Sequence, residues 1–206
     1  SGQVRNATVI TADTYTKFLN PHDKSVRTLF GDGASATLVV DDGDSQSIRG
    51  ITYGTNGCGA KSLMVPRGGL RAGEEMQPRA AAVERNLEES GYDLYMDGPA
   101  IFSFTLDVVP AAVESVLEKA ELAFDDVDLF VFHQANSFML EHLRKKLKIP
   151  AEKFVIEMAE FGNTVSSTIP IALYEAERKG TLRPGMTVML VGFGVGLSWG
   201  GLIARW

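Results

Sequence analysis

From Pro99 to Trp206 the chain alternates two kinds of apolar spacing, and few architectures accommodate that. "VDLFVFHQ" (127–134), "KFVIEM" (153–158) and the two halves of "GMTVMLVGFGVGLSWGGLIARW" (185–206) are β-branched and aromatic runs of strand length. Between them, "NSFMLEHLRKKLKI" (136–149) and "SSTIPIALYEAERKG" (166–180) space their apolar residues as an amphipathic helix does. Asn136 or Ser137 suits the start of the first helix, and Gly180 closes the second. Pro99 stands where a first helical residue can lack its N–H, so a further helix is expected to about Ala120, kinked at Pro110. Such alternation builds an α/β layer structure with helices covering a central sheet.

The preceding residues read differently. "NATVITAD" (6–13) and the apolar runs around the Gly-Asp-Gly turn in "SVRTLFGDGASATLVVDDG" (25–43) are expected to be buried strands. From Asp44 to Gly98 glycine, charge and methionine take over and periodicity fades, which predicts a long excursion over the surface. With 206 residues, 45% of them hydrophobic, the chain can bury a full core. One cysteine, Cys58, excludes an internal disulfide, and the three histidines lack zinc-ligand spacing, so no metal is expected and a reduced cytoplasmic setting fits. A net charge of -6 disfavours nucleic acid, and no run reaches the ~18 uninterrupted apolar residues of a membrane span. No basic segment followed by a hydrophobic one opens the chain, so no secretion signal is expected.

His133 follows four apolar residues, which places it at the carboxyl end of a strand, where open α/β sheets build their sites. Alone it reads equally as a core histidine bonded to a carbonyl, and Asn163 in "FGNT" reads equally as a helix cap. Together, each placed between a strand and a helix, they point to one pocket. The glycines of "GFGVGLSWGG" (192–201) are not expected to make a dinucleotide site, because Leu197 takes the third-glycine position. They suit backbone amides brought close to a reacting carbonyl. Ser35 in "GDGASA" lacks the spacing of a serine-hydrolase elbow. Arg144, Lys145, Lys146 and Lys148 form a basic cluster after His133, either a solvated face or a patch for an anionic partner such as a phosphopantetheine carrier. Cys58, in the glycine loop "TNGCGAK", has no helix start to lower its pKa and is a poor nucleophile.

"FGDGASA", "HQAN", "FGNTVSSTIPIAL" and "GFGVGLSWGG" occur in the order found in β-ketoacyl-acyl-carrier-protein synthase III, a thiolase-fold condensing enzyme, and the chain resembles that family from Ser1 to Trp206. The resemblance implies a layered α/β fold of mixed sheets with helices between and outside them, incomplete in its first half. It divides the chain into residues 1–45, the last strands of the amino-terminal half, 46–98, the surface excursion, and 99–206, the carboxyl-terminal half. It also implies a Cys-His-Asn set with His133 and Asn163 in the last two roles. The cysteine would lie upstream of Ser1, in a longer enzyme of which this chain is the carboxyl-terminal part. The implied chemistry is decarboxylative Claisen condensation of an acyl-coenzyme A starter with a malonyl-carrier, with no cofactor beyond the coenzyme A thioester as substrate. Gly98, Phe102, Gly194 and Gly196 would line the acyl or pantetheine path. Lys24 would lie near coenzyme A, and Lys145 and Lys146 would meet an acyl carrier protein. Phe138 stands where the family often has an arginine, a departure that bears on carrier recognition. A homodimer is implied, with no nucleic acid or membrane partner. The alternatives are a non-catalytic partner subunit or a starter-acyl transferase of secondary metabolism; the "GFGVGLSWGG" ending argues against a type III polyketide synthase.

Overall fold

The computed structural model describes residues 4–41, 43, 47–67 and 92–206. Its strands are β1 (Asn6–Asp13), β2 (Gly33–Val40), β3 (Ile48–Thr55), β4 (Leu63–Met64), β5 (Tyr95–Met96), β6 (Leu129–Phe132), β7 (Thr187–Gly194) and β8 (Ser198–Arg205). The helices are α1 (Lys24–Arg27), α2 (Gly98–Ala120), α3 (Ser137–Lys146) and α4 (Thr168–Arg178). β1 and β2 pair antiparallel as a ribbon, and β4 pairs with β5. The main sheet has the order β3-β8-β7-β6, with β6 and β7 parallel and the other neighbours antiparallel.

The alternation of side chains explains why this sheet sits in the middle. Along β6, Phe130 and Phe132 point to one face, where α2 and α3 supply Val109, Val113, Leu140 and Leu143. Leu129 and Val131 point to the other, where α4 supplies Ala172, Leu173 and Ala176. A strand buried on both faces has no polar positions to spare, which is why "LFVF" reads as a continuous apolar run. α2 is long and apolar enough to cross a membrane by length and composition alone. In this fold seven of its residues, from Ile101 to Ala120, are buried in the protein. Its first turn is held by Asp97, whose Oδ1 accepts the Ala100 N–H at 3.0 Å, and Pro110 lies inside it without ending it.

Three expectations need correction. The reading of 46–98 as surface excursion fails at β3, which is an edge strand of the main sheet. Its glycines hid it: at Gly50, with φ +67, a Cβ would lie 2.5 Å from the Val116 carbonyl oxygen, so α2 passes too close for any side chain. Residues 68–91 of that stretch lie outside the described residues. "KFVIEM" is not a strand; Phe154 makes only an isolated bridge to Phe130. The buried Gln134 side chain takes the place of a neighbouring strand there, donating to the Val155 carbonyl at 3.3 Å and accepting from the Glu157 N–H at 2.7 Å. Finally, the ribbon is exposed rather than buried: Ile10 is 73% and Leu38 64% accessible, because the face that carries them is left uncovered by the described residues. The segment from Ser25 to Gly43 also holds a short helix, α1, before its one strand.

Candidate active site

A cavity of about 470 Å³ opens where β6 and β7 end, lined mostly by apolar side chains, with His133, Asn163 and Thr168 among its few polar groups. An apolar pocket with a few convergent polar groups is the usual form of a small-molecule site. The chain folds so as to point them inward. His133 directly follows β6 and extends the parallel ladder by one bond, its N–H donating to the Val191 carbonyl at 2.8 Å. Its Nδ1 lies 2.6 Å from the Thr168 hydroxyl, and its ring meets the edge of Phe193 at 5.3 Å. The imidazole lines the cavity, and burial pulls its pKa down to about 4, so it is neutral at pH 7.

Asn163 is fixed through its backbone and its side chain. Its N–H donates to Leu29 O at 2.8 Å and its carbonyl accepts from the Gly31 N–H at 3.0 Å, stitching it to the turn ahead of β2. Its Oδ1 accepts the Val165 N–H at 2.9 Å and so caps the 3-10 turn Val165–Ser167. Because a backbone N–H needs an acceptor, this bond settles which end of the amide is oxygen. The Nδ2 donor makes no hydrogen bond among the described residues. The structural and functional roles that compete for Asn163 in the sequence therefore fall to different atoms.

The ribbon holds this turn in place. Ser166 donates its N–H and its hydroxyl to the Asp13 carboxylate at the end of β1. Ser167 Oγ lies 2.9 Å from Thr11 Oγ1, which in turn lies 2.6 Å from Ser35 Oγ on β2. Val165 carries φ 56. A β-branched residue there costs on the order of 1–3 kcal/mol and persists only where the surroundings dictate it. Here they do: its N–H holds Asn163 and its carbonyl receives both the N–H and, at 3.0 Å, the hydroxyl contact of Thr168.

The other sequence candidates divide. Gly98 and Gly194 line the cavity, and a Cβ at either would meet nothing within 4 Å, so both keep space open. Phe102 and Gly196 are not among the lining residues. Phe102 instead stacks on Phe138 at 5.7 Å, and Gly196 lies in the β7–β8 turn. Lys24 and Lys145 are exposed, while Lys146 donates to the Leu106 carbonyl at 2.6 Å and so is tied to α2. Arg144 is occupied by Glu141 and the Ile149 carbonyl. Cys58 is exposed and outside the lining, on a 3-10 turn (Gly57–Ser62) capped by Asn56 rather than a structureless loop. The sequence reading missed Tyr15, whose phenol is pushed above its ordinary pKa by burial and then by Asp13, and Thr168. Thr168 sits inside a stretch that reads only as a helix start.

Comparison with known proteins puts this geometry in context. Family models described as 3-oxoacyl-[acyl-carrier-protein (ACP)] synthase III and as its C-terminal part match residues 1–57 and 117–206. The chain belongs to the 3-oxoacyl-acyl-carrier-protein synthase III family. The beta-ketoacyl-[acyl-carrier-protein] synthase III of Caldanaerobacter subterraneus subsp. tengcongensis is 37% identical over 206 residues, covering all of this chain and 60% of that protein. A crystal structure of a 3-oxoacyl-(acyl-carrier-protein) synthase III is 46% identical with a TM-score of 0.89, covering all of this chain and 61% of that one. The priming β-ketosynthase of the R1128 polyketide pathway is 31% identical with a TM-score of 0.82, over 99% of this chain and 58% of that one. The fold is thus the thiolase-like α/β fold of synthase III structures. The chain spans about 60% of the length of the curated relatives it matches.

Proposed function

We propose that this chain carries the His and Asn of a β-ketoacyl-acyl-carrier-protein synthase III. Its nucleophilic cysteine is supplied by a segment outside these residues. In this reading the cysteine thiolate attacks an acyl-coenzyme A thioester and releases the coenzyme A thiol. A malonyl-carrier then loses carbon dioxide, and its carbanion attacks the acyl thioester; the carbon–sulfur bond breaks and the cysteine thiolate leaves. The observation that carries this is the placing of the neutral His133 imidazole and the Asn163 amide on one apolar cavity, with the Asn163 oxygen already engaged. Donors aimed at an enolate oxygen in a dry pocket stabilise it without reorganising.

The same reading assigns coenzyme A thioester and acyl carrier as the substrates, a homodimer as the assembly and a cytoplasmic setting, which the exposed free thiol of Cys58 suits. Among the described residues Lys145 is held only by a 3.5 Å ion pair to Glu141, whereas Lys146 is tied to the Leu106 carbonyl at 2.6 Å, which favours Lys145 as the better of the two for a carrier. The likeness to a priming ketosynthase supports, as the second reading, a starter-acyl transferase of secondary metabolism. The test uses the complete enzyme. Asn163→Ala or His133→Ala should slow malonyl-thioester decarboxylation by ~100-fold or more, and Asn163→Ala should leave acylation of the cysteine nearly intact. A decarboxylation rate unchanged in an Asn163→Ala protein that is merely less stable by ~1 kcal/mol would leave Asn163 as a cap alone.

A further inference from the structure

Beyond Phe130 the segment that runs beside β6 stops following it. The Val155 N–H still donates to the Phe130 carbonyl at 3.0 Å. In a parallel ladder the next bond of this kind would join the Glu157 N–H to the Phe132 carbonyl. Instead the Gln134 side chain is inserted between the two. Its Oε1 accepts the Glu157 N–H at 2.7 Å, and its Nε2 donates to the Phe132 carbonyl at 2.6 Å and to that of Val155 at 3.3 Å. The N–H needs an oxygen and the two carbonyls need donors, so all three partners fix the same orientation of the amide.

Gln134 is 1% exposed and lies outside the cavity lining, so it touches no substrate. Yet the two backbones it separates lead to opposite sides of the cavity. His133 is its neighbour in the chain. From Glu157 the chain turns through Met158, whose carbonyl accepts the Gly162 N–H at 2.9 Å, and at Asn163 it joins the turn ahead of β2 through the Leu29 carbonyl. A buried amide with its bonds made is costly to disturb, because each partner left alone is out of reach of water. The spacing it imposes on the two backbones is therefore held firmly.

We infer that Gln134 is a positioning residue: its amide, wedged between the end of β6 and residues 155–157, sets where Asn163 stands relative to His133 across the cavity. Without the wedge the ladder would close by one bond. The chain leading to Asn163 would then be drawn in along β6 rather than released toward the ribbon. The consequence for the reaction rests on the function proposed above; the wedge itself does not.

The test compares variants of the complete enzyme. Gln134→Leu keeps most of the bulk and removes all three bonds. It should slow malonyl-thioester decarboxylation by roughly 10- to 100-fold, the cost of misplacing a reacting group by about 1 Å, with KM for the malonyl thioester little changed. Leu182→Ala, a buried substitution in the cluster around α4, is the control: it should lower the melting temperature and leave the rate of the folded enzyme unchanged. Gln134→Glu separates positioning from bulk by pH. Its protonated carboxyl accepts from Glu157 and donates to Phe132, whereas the ionised form only accepts and faces two carbonyl oxygens. Burial and those carbonyls raise the pKa of the introduced carboxyl. Its rate relative to the unsubstituted enzyme should therefore be highest at low pH and fall as the pH rises.

A folded Gln134→Leu enzyme working at the unsubstituted rate would overturn the inference. So would a relative rate for Gln134→Glu that does not change with pH, and this decides the matter if Gln134→Leu fails to fold. A crystal structure of either variant keeps this inference apart from the proposed function. A shifted Asn163, in an enzyme whose His133→Ala variant decarboxylates at full rate, would sink the function and leave the wedge standing. An unmoved Asn163, with His133→Ala slow, would do the reverse.

Discussion

The ribbon β1–β2 and the four-stranded sheet are written in much the same alphabet, yet they live in opposite surroundings. In β6 Phe130 and Phe132 lie fully buried under α2 and α3, with Leu129 and Val131 under α4. In the ribbon Ile10 and Leu38 face outward. A β-branched run therefore specifies a strand but not its cover; cover comes from the elements that cross it. The two regions also serve the cavity differently. The sheet supplies His133 through the end of β6, whereas the ribbon supplies nothing catalytic and clamps the Asn163 turn from behind.

If this contrast holds, the largest loss should come from the sheet. Phe132→Ala should cost ~3–5 kcal/mol in denaturant unfolding, while Ile10→Ala on the ribbon should fall within about 0.5 kcal/mol; equal losses would erase the distinction. Acid should act next, again on the sheet side. The pKa of His133 falls from 6.5 unfolded to about 4 folded, so between those values the unfolded chain holds a proton that the folded chain refuses. Stability from this group is full above pH 6.5 and drains as the pH falls to 4, by at most about 3 kcal/mol and less to the extent that water enters the cavity. His133→Gln should flatten that part of the profile, and an unchanged slope would contradict it. The ribbon's grip should register third. Ser167→Ala removes a buried hydroxyl from the Thr11–Ser35 network and should cost about 1–2 kcal/mol, read by thermal unfolding. The smallest effect on stability should follow Ile10→Lys or Leu38→Lys, yet these should reduce self-association in light scattering, since charge blunts an exposed strand edge.

Much of this was legible before the fold. β6, β7 and β8 announce themselves as dense apolar runs, α2 to α4 by their spacing, His133 by its place at the end of β6, and Asn163 by its place just ahead of α4. What escaped depends on tertiary contact. β3 needs Gly50 because α2 crosses it, and a glycine-broken run looks like a loop until the helix is in place. The stretch from Lys153 to Met158 has strand composition, but Gln134, distant in sequence, bonds to the backbone that a strand would have paired. Thr168 is a common helix-start residue; only its 2.6 Å contact across 35 residues of sequence gives it a role at the site.

That separation is small beside the one bridged by the ribbon's clamp, which ties Thr11 to Ser167 across 156 residues. Closing a loop of that length costs about 1 kcal/mol more in chain entropy than closing the 35 residues between His133 and Thr168. The histidine side of the cavity can therefore form from neighbouring segments, while the asparagine side waits for the Thr11 and Ser167 segments to meet. A chain in which only the nearer segments have met would hold an imidazole in position but lack the anchored amide opposite it.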